Sequence, residues 1–184
     1  MRDIFPGVLT LDFKNEFVGG KVLMKIVVFA DSHSDIDTMS IVIEVENPDM
    51  IIHLGDHVTD GTELQKMYAT IPMELVKGKT DRTDEYFSEK ILLLNDKSIF
   101  ITHGDMYDVE QGISDLVDRG MSDDADIILF GHTHKPYLQN NEGIWIMNPG
   151  RIGRRSSKVI NATYGILLID NDSVICEIVE FDSI

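Results

Sequence analysis

Lys25-Ile26-Val27-Val28-Phe29-Ala30-Asp31-Ser32-His33 joins a short, mostly apolar run to a carboxylate and an imidazole two residues apart. A run of this length, bounded by polar residues, fits a strand buried on both faces, where apolar neighbours wait on either side. The same construction recurs down the chain. Met50-Ile51-Ile52-His53-Leu54 runs into Gly55-Asp56-His57, and residues 71–77 run into Gly78-Lys79-Thr80-Asp81. Residues 97–102 run into His103-Gly104-Asp105, and residues 126–130 into Gly131-His132-Thr133-His134. Segments 35–47, 60–70 and 108–121 carry helical spacing. In the last of them Val109, Ile113, Leu116 and Val117 fall on one face, and Gly120 reads as its stop. Strands alternating with helices predict a parallel or mixed sheet, with chemistry gathered beyond the C-terminal ends of the strands.

After residue 134 the texture changes. Residues 135–140, 143–148, 163–169 and 173–181 read as strands, separated by the turn signals Asn140-Asn141-Glu142-Gly143, Asn148-Pro149-Gly150 and Asp170-Asn171-Asp172. The pattern is an α/β half followed by an antiparallel half. Two sheets packed face to face and flanked by helices would bury both, giving an α/β sandwich of four layers. Residues 24–184 read as one domain without repeats or linkers. Residues 1–23 form an N-terminal extension; Leu9 to Lys14 alternates apolar and polar residues, which permits a strand that is frayed or lies on an edge.

The 184 residues suffice for one well-buried core. A hydrophobic share of 43% and a charged share of 26% are those of a soluble globular protein. The single cysteine, Cys176, excludes an internal disulfide and points to a reducing compartment. No apolar run reaches the ~18 residues of a membrane span, and the first residues lack the pattern of a secretory signal. Cytoplasmic location is the expectation, with no membrane partner. The net charge of -16 disfavours nucleic-acid binding, which depends on neutralising phosphates. It does not forbid a phosphorylated substrate, because bound cations dominate the local field of a metal site.

All six histidines lie in or beside the polar motifs. Imidazole mixed with carboxylate suits a hard-to-borderline divalent metal such as manganese, iron, nickel or zinc. Asp31 and His33 are two residues apart, as are His132 and His134; on extended backbone such pairs point the same way. Gly55, Gly104 and Gly131 let the backbone pass close to an ion. A carboxylate such as Asp56 is able to bridge two cations ~3.5–4 Å apart.

In their order, Asp-x-His, Gly-Asp, the Gly78–Asp81 motif, His-Gly and Gly-His-x-His, the motifs resemble those of the calcineurin-like metallophosphoesterases. Chain length and the Asn148-Pro149-Gly150 step are similar to the small YfcE-type phosphodiesterase branch. The resemblance runs from about Met24 to the C-terminus. It implies a helix-flanked β-sandwich, a homo-oligomer, and hydrolysis of a phosphate ester by a metal-activated hydroxide. It implies one metal held by Asp31, His33 and His134, a second held by His103 and His132, and Asp56 bridging them. Asp56, His132 and Asp81 are then the residues expected to serve catalysis, with Asp81 orienting a ligand.

One position departs from the family. Where its motif has the asparagine ligand of the second metal, this chain has Lys79, which offers donors and no acceptor. Lys79 could swing out and leave the second site one ligand short, stay in the pocket as a fixed cation that holds phosphate, or mark a site that has lost its activity. The last alternative corresponds to a protein-binding scaffold like the retromer subunit of this fold; a single-metal phosphate or nucleotide sensor is a third reading. Thr80 stands where related phosphatases place a histidine acid, so good leaving groups should be preferred. Asp105 reads equally as a turn residue or a site residue, and His53 and His57 read as supporting rather than ligating. The one basic cluster, residues 151–158, brings Arg151, Arg154 and Arg155, whose guanidinium forks suit phosphate; a solvated loop or an intersubunit ion pair is the alternative.

Overall fold

The computed structural model describes residues 8–10, 17–18, 21–153 and 161–181. Its strands are β1 (Val8–Thr10), β2 (Phe17–Val18), β3 (Lys21–Val22), β4 (Met24–Phe29), β5 (Met50–His53), β6 (Met73–Leu75), β7 (Glu89–Leu94) and β8 (Lys97–Thr102). They continue as β9 (Ile127–Leu129), β10 (Tyr137–Asn141), β11 (Ile144–Asn148), β12 (Ala162–Ile169) and β13 (Val174–Phe181). The helices are α1 (Ile36–Glu46), α2 (Val58–Met67) and α3 (Ser114–Ser122).

Alternate residues of β4 face opposite layers, and both layers are apolar. Met24, Ile26 and Val28 enter a core shared with Leu92, Ile99, Ile127 and Met147. Val27 and Phe29 turn the other way, into a core with Met39, Val42 and Leu64. That division explains an apolar run without polar alternation. The first core lies between a sheet of order β13-β12-β4-β5-β6 and one of order β1-β7-β8-β9-β11-β10. The second lies under α1 and α2, and a third, with Phe100, Leu116 and Ile128, lies under α3. The result is the expected helix-flanked sandwich of two sheets. Asp35 starts α1 by accepting the Thr38 amide, and Asn47, in left-handed conformation before Pro48, ends it.

The later strands correct the picture of two successive halves. β11 joins β9 in parallel and carries β10 with it, while β12 inserts beside β4 and carries β13. Both sheets are therefore mixed, and the C-terminal strands complete each of them. Residues 89–94, read as no element in the sequence, form β7, an antiparallel partner of β8. The helix expected over 108–121 begins only at Ser114, and Gly120 lies inside it rather than ending it. A Cβ on Gly120 would stand 2.5 Å from Ile128 Cδ1, so the glycine serves close packing of helix on sheet. The strand expected over 71–77 shortens to β6. Of the alternating stretch Leu9 to Lys14, residues 9–10 belong to β1, which pairs in parallel with β7, and 11–14 lie outside the described residues.

β4, β5 and β6 run parallel, so the motifs after them share one edge of their sheet. β8 and β9 run parallel in the other. Backbone bonds sew these ends together: the Asp31 amide donates to Gly55 O, Val76 to His53 O, and Gly131 to His103 O.

Candidate metal centre

The residues singled out in the sequence meet at these strand ends. Asp31, His33, Asp56 and His134 offer ligand atoms that lie within 4.8 Å of one another. Asp31 is fully buried; its Oδ2 accepts the His132 amide at 3.2 Å, which ties the first motif to the last. Its Oδ1 has no hydrogen-bond partner and lies 3.3 Å from His134 Nε2 and 4.0 Å from His103 Nε2. His33 is exposed, with Nε2 3.4 Å from His134 Nε2.

His103 is fully buried, and its Nδ1 lies 2.8 Å from Leu54 O. A carbonyl only accepts, so Nδ1 carries the proton and the Nε2 lone pair faces the cluster. Nε2 has no aligned partner, although Asp56 Oδ1 stands 3.3 Å away. Two carboxylates and bare imidazole nitrogens at such spacings, with two buried acceptor atoms left without partners, suit a cation. Burial opposes charge on His103, but Asp56 and Asp31 outweigh it and raise its pKa. Burial likewise opposes charge on Asp56, yet His103 and Thr80 hold its carboxyl below the usual range. The site attracts positive charge, and the donor set fits a divalent ion.

His132 is half-buried beside His103, with ring centroids 5.1 Å apart, and its Nε2 lies 3.5 Å from Glu110 Oε1. Glu110 was not anticipated; it comes from a loop that the sequence read as helix. Asp81 spends both oxygens on backbone amides, Oδ1 on His57 and Val58 at 2.9 Å and Oδ2 on Gly78 at 2.8 Å. It fixes the two loops that flank Asp56. Between them Gly55 and Gly78 touch: a Cβ on Gly78 would lie 2.4 Å from the Asp56 amide nitrogen and Oδ1, where only hydrogen fits. Thr80 donates its amide to Asp56 Oδ1, while Lys79 is exposed on the same turn.

Convergence of the i, i+2 pairs has a different cause from the extended backbone inferred in the sequence. Asp31, His33, Asp56, His132 and His134 all have positive φ, between 44° and 70°. Left-handed residues are rare outside glycine, so the ligand-bearing turns are sharp and held by their surroundings. Two networks hold them. His53 Nδ1 accepts the Gly55 amide, leaving Nε2 to donate to Ser32 Oγ at 3.1 Å, and Ser32 donates to Asp60 at 2.6 Å. Asp60 also takes the Ser34 amide, and burial keeps His53 neutral by lowering its pKa to about 4. In the second network buried Asn148 donates to Gly131 O and to Thr133 Oγ1 and accepts the Gly150 amide. The Asn-Pro-Gly step was visible in the sequence; its task of shaping the Gly131–His134 loop was not. Arg151 is buried rather than solvated, on a segment bonded to Ala30 and Asp31. Arg154 and Arg155 lie outside the described residues. His57 rests edge-on against His33, and Asp105 opens a short 3-10 turn; neither belongs to the cluster.

The model of the calcineurin-like phosphoesterase superfamily domain matches residues 24–172, and the chain belongs to that family. It is 30% identical over 155 residues to the probable metallophosphoesterase YsnB of Bacillus subtilis (strain 168), covering 82% of this chain and 87% of that one. It is 25% identical over 147 residues to phosphodiesterase MJ0936 of Methanocaldococcus jannaschii, covering 69% and 83%. A conserved protein of Streptococcus pneumoniae TIGR4, described as a predicted phosphoesterase, has a similar structure, with TM-score 0.71, 25% identity and coverage of 86% and 90%. Zinc-complexed Vps29 of Entamoeba histolytica shares the fold, with TM-score 0.62, 20% identity and coverage of 86% and 100%. Membership implies use of divalent metal and a phosphate-ester substrate. Among the described residues no helix is long and apolar enough to cross a membrane.

Proposed function

We propose that this chain is a metal-dependent phosphodiesterase. The observation that carries the reading is the pair of buried acceptors without partners, Asp31 Oδ1 and His103 Nε2, inside a cluster of carboxylates and imidazoles. Asp31, His33, Asp56 and His134 would hold one divalent ion, and Asp56, His103 and His132 a second; manganese is our first choice. Such ions supply acidified water and offset charge on the phosphoryl oxygens. The chain's own residues do the positioning. Leu54 O fixes the His103 tautomer, Asp81 clamps the loops beside Asp56, and Asp31 binds the loop of His132 and His134. Thr80 is a poor acid at neutral pH, so esters with good leaving groups should turn over fastest. Lys79 is exposed and leaves the second position to three side chains, with its ammonium free to meet substrate oxygens. Arg151, Arg154 and Arg155 are proposed to help hold the phosphate.

Lys79 also supports a second reading, a protein-binding scaffold of the same fold with a weakened metal site. Hydrolysis of bis(p-nitrophenyl) phosphate by metal-stripped protein after addition of Mn²⁺ separates the two. We expect turnover that a chelator abolishes, and a rise in Mn²⁺ affinity in Lys79→Asn, because an acceptor replaces a cation. An inactive natural chain beside an active Lys79→Asn would favour the scaffold.

A further inference from the structure

We propose that a cleft beside the Gly131–His134 loop is the subsite for one ester arm of the substrate, and that it selects a neutral, flat, apolar arm such as an aryl group. The inference rests on the phosphodiesterase reading and adds a substrate class to it. The cleft has a volume of about 450 Å³, within the range of small-molecule sites. Its walls are Val109, Ile113, Phe130, Pro136 and Tyr137.

Position is the first argument. Thr133, which lines the cleft, stands between His132 and His134, and Glu110 at the rim lies 3.5 Å from His132 Nε2. An ester whose phosphorus rests against the metal ligands therefore has the cleft within reach of one arm. The wall is also coupled to the site: Val109 packs against Gly104, the neighbour of His103, where an added Cβ would stand 3.1 Å from Val109 Cγ2.

Shape and charge are the second argument. Phe130 and Tyr137 pack in a tilted arrangement at a centroid distance of 6.1 Å and an angle of 58°; Phe130 is buried and backs the half-buried Tyr137, whose ring is the one a bound aryl group would meet. A methyl arm would leave the accessible parts of Ile113, Pro136 and Tyr137 in contact with water, whereas an aryl arm would cover them. The polar rim carries one carboxylate, Glu110, and one ammonium, Lys135. Their charges offset each other, and Glu110 is the one placed against His132. The pair leaves the rim without net charge, which suits a neutral arm.

Two non-hydrolysable probes, phenylphosphonate and methylphosphonate, test this on Mn²⁺-loaded protein by titration calorimetry. Both carry the same charged head, and only one has a ring. Phenylphosphonate should bind about tenfold more tightly or better. In Ile113→Trp, which fills the cleft, the preference should vanish while methylphosphonate binds as before. Equal affinity of the two probes for the natural chain, accompanied by turnover of bis(p-nitrophenyl) phosphate, would overturn the subsite and leave the phosphodiesterase reading standing. Absence of both probe binding and turnover would overturn that reading and the subsite with it. The comparison on the natural chain holds whether or not the variant folds.

Discussion

His103 offers its Nε2 to the site because its Nδ1 holds the proton and donates it in a hydrogen bond to Leu54 O. Such pairs were invisible in the sequence, since a backbone carbonyl leaves no mark in the side-chain alphabet. The residues proposed as ligands were themselves legible, because imidazole and carboxylate recur at fixed offsets after apolar runs. Their left-handed backbone was not: aspartate and histidine adopt positive φ more readily than most residues, but which of them do so is set by partners such as Asp60, His53 and Asn148, which the sequence does not place beside them. Cys176 shows the opposite case, a chemically capable residue that the fold silences. It sits in the core between the sheets, and burial pushes its thiol up to about 12. At neutral pH almost no thiolate exists to act as nucleophile. Folded protein should therefore fail to react with Ellman's reagent, and one thiol per chain should appear on denaturation. Rapid labelling of the native chain would contradict this.

At the scale of the element, α2 illustrates how a loop residue completes a helix. Its N-cap, His57, makes no side-chain cap bond; Asp81 accepts the His57 and Val58 amides from across the site. Asp81→Ala should lower stability by about 1–3 kcal/mol, as measured by urea unfolding, because a cap and buried amide partners are lost together. It should also raise the Mn²⁺ concentration needed for half-maximal activity, since the loops around Asp56 loosen. Asp81→Asn, which keeps one acceptor, should fall between. A variant as stable as the natural chain would deny Asp81 this role. β7 escaped the sequence reading because Ile91 to Leu94 is a short apolar run that ends in a tight turn and not in a histidine-bearing or glycine-bearing motif of the kind that marked the other strands; Leu92 and Leu94 point into the core. Its turn into β8 is made by Asn95 and Asp96, both at positive φ. The late start of α3 follows from Gly112, whose φ of 149° no helix adopts and which breaks the periodic pattern from Val109 to Ile113 just before Ser114.

For the whole molecule, a net charge of -16 and a cluster of buried acceptors act in the same direction. Self-repulsion opposes the compact state, and a cation held only by the folded chain offsets it. Saturating Mn²⁺ at about one hundred times its dissociation constant should stabilise the fold by about 2.7 kcal/mol. For a chain of this size that corresponds to a rise in Tm of about 5–10 °C over chelator-treated protein, read by scanning fluorimetry. Asp31→Ala should abolish most of the shift, and an unchanged Tm in the natural chain would argue against a built metal site.

Apolar runs buried on both faces, each ending in a polar motif, determined the strand order along the chain, the layered class and the ligand types, because these depend on local composition and period. Tertiary structure decided which sheet each late strand joined, since β12 pairs with β4 from the other end of the chain and β11 passes over its neighbour β10 to pair with β9. It also decided the sharp turns that bring Asp31, His33, Asp56 and His134 together and set His132 beside His103, and the cleft that opens beside them. Those features arise from contacts across the fold, where the cost of a strained backbone or an unpaired buried atom is met by residues from other elements.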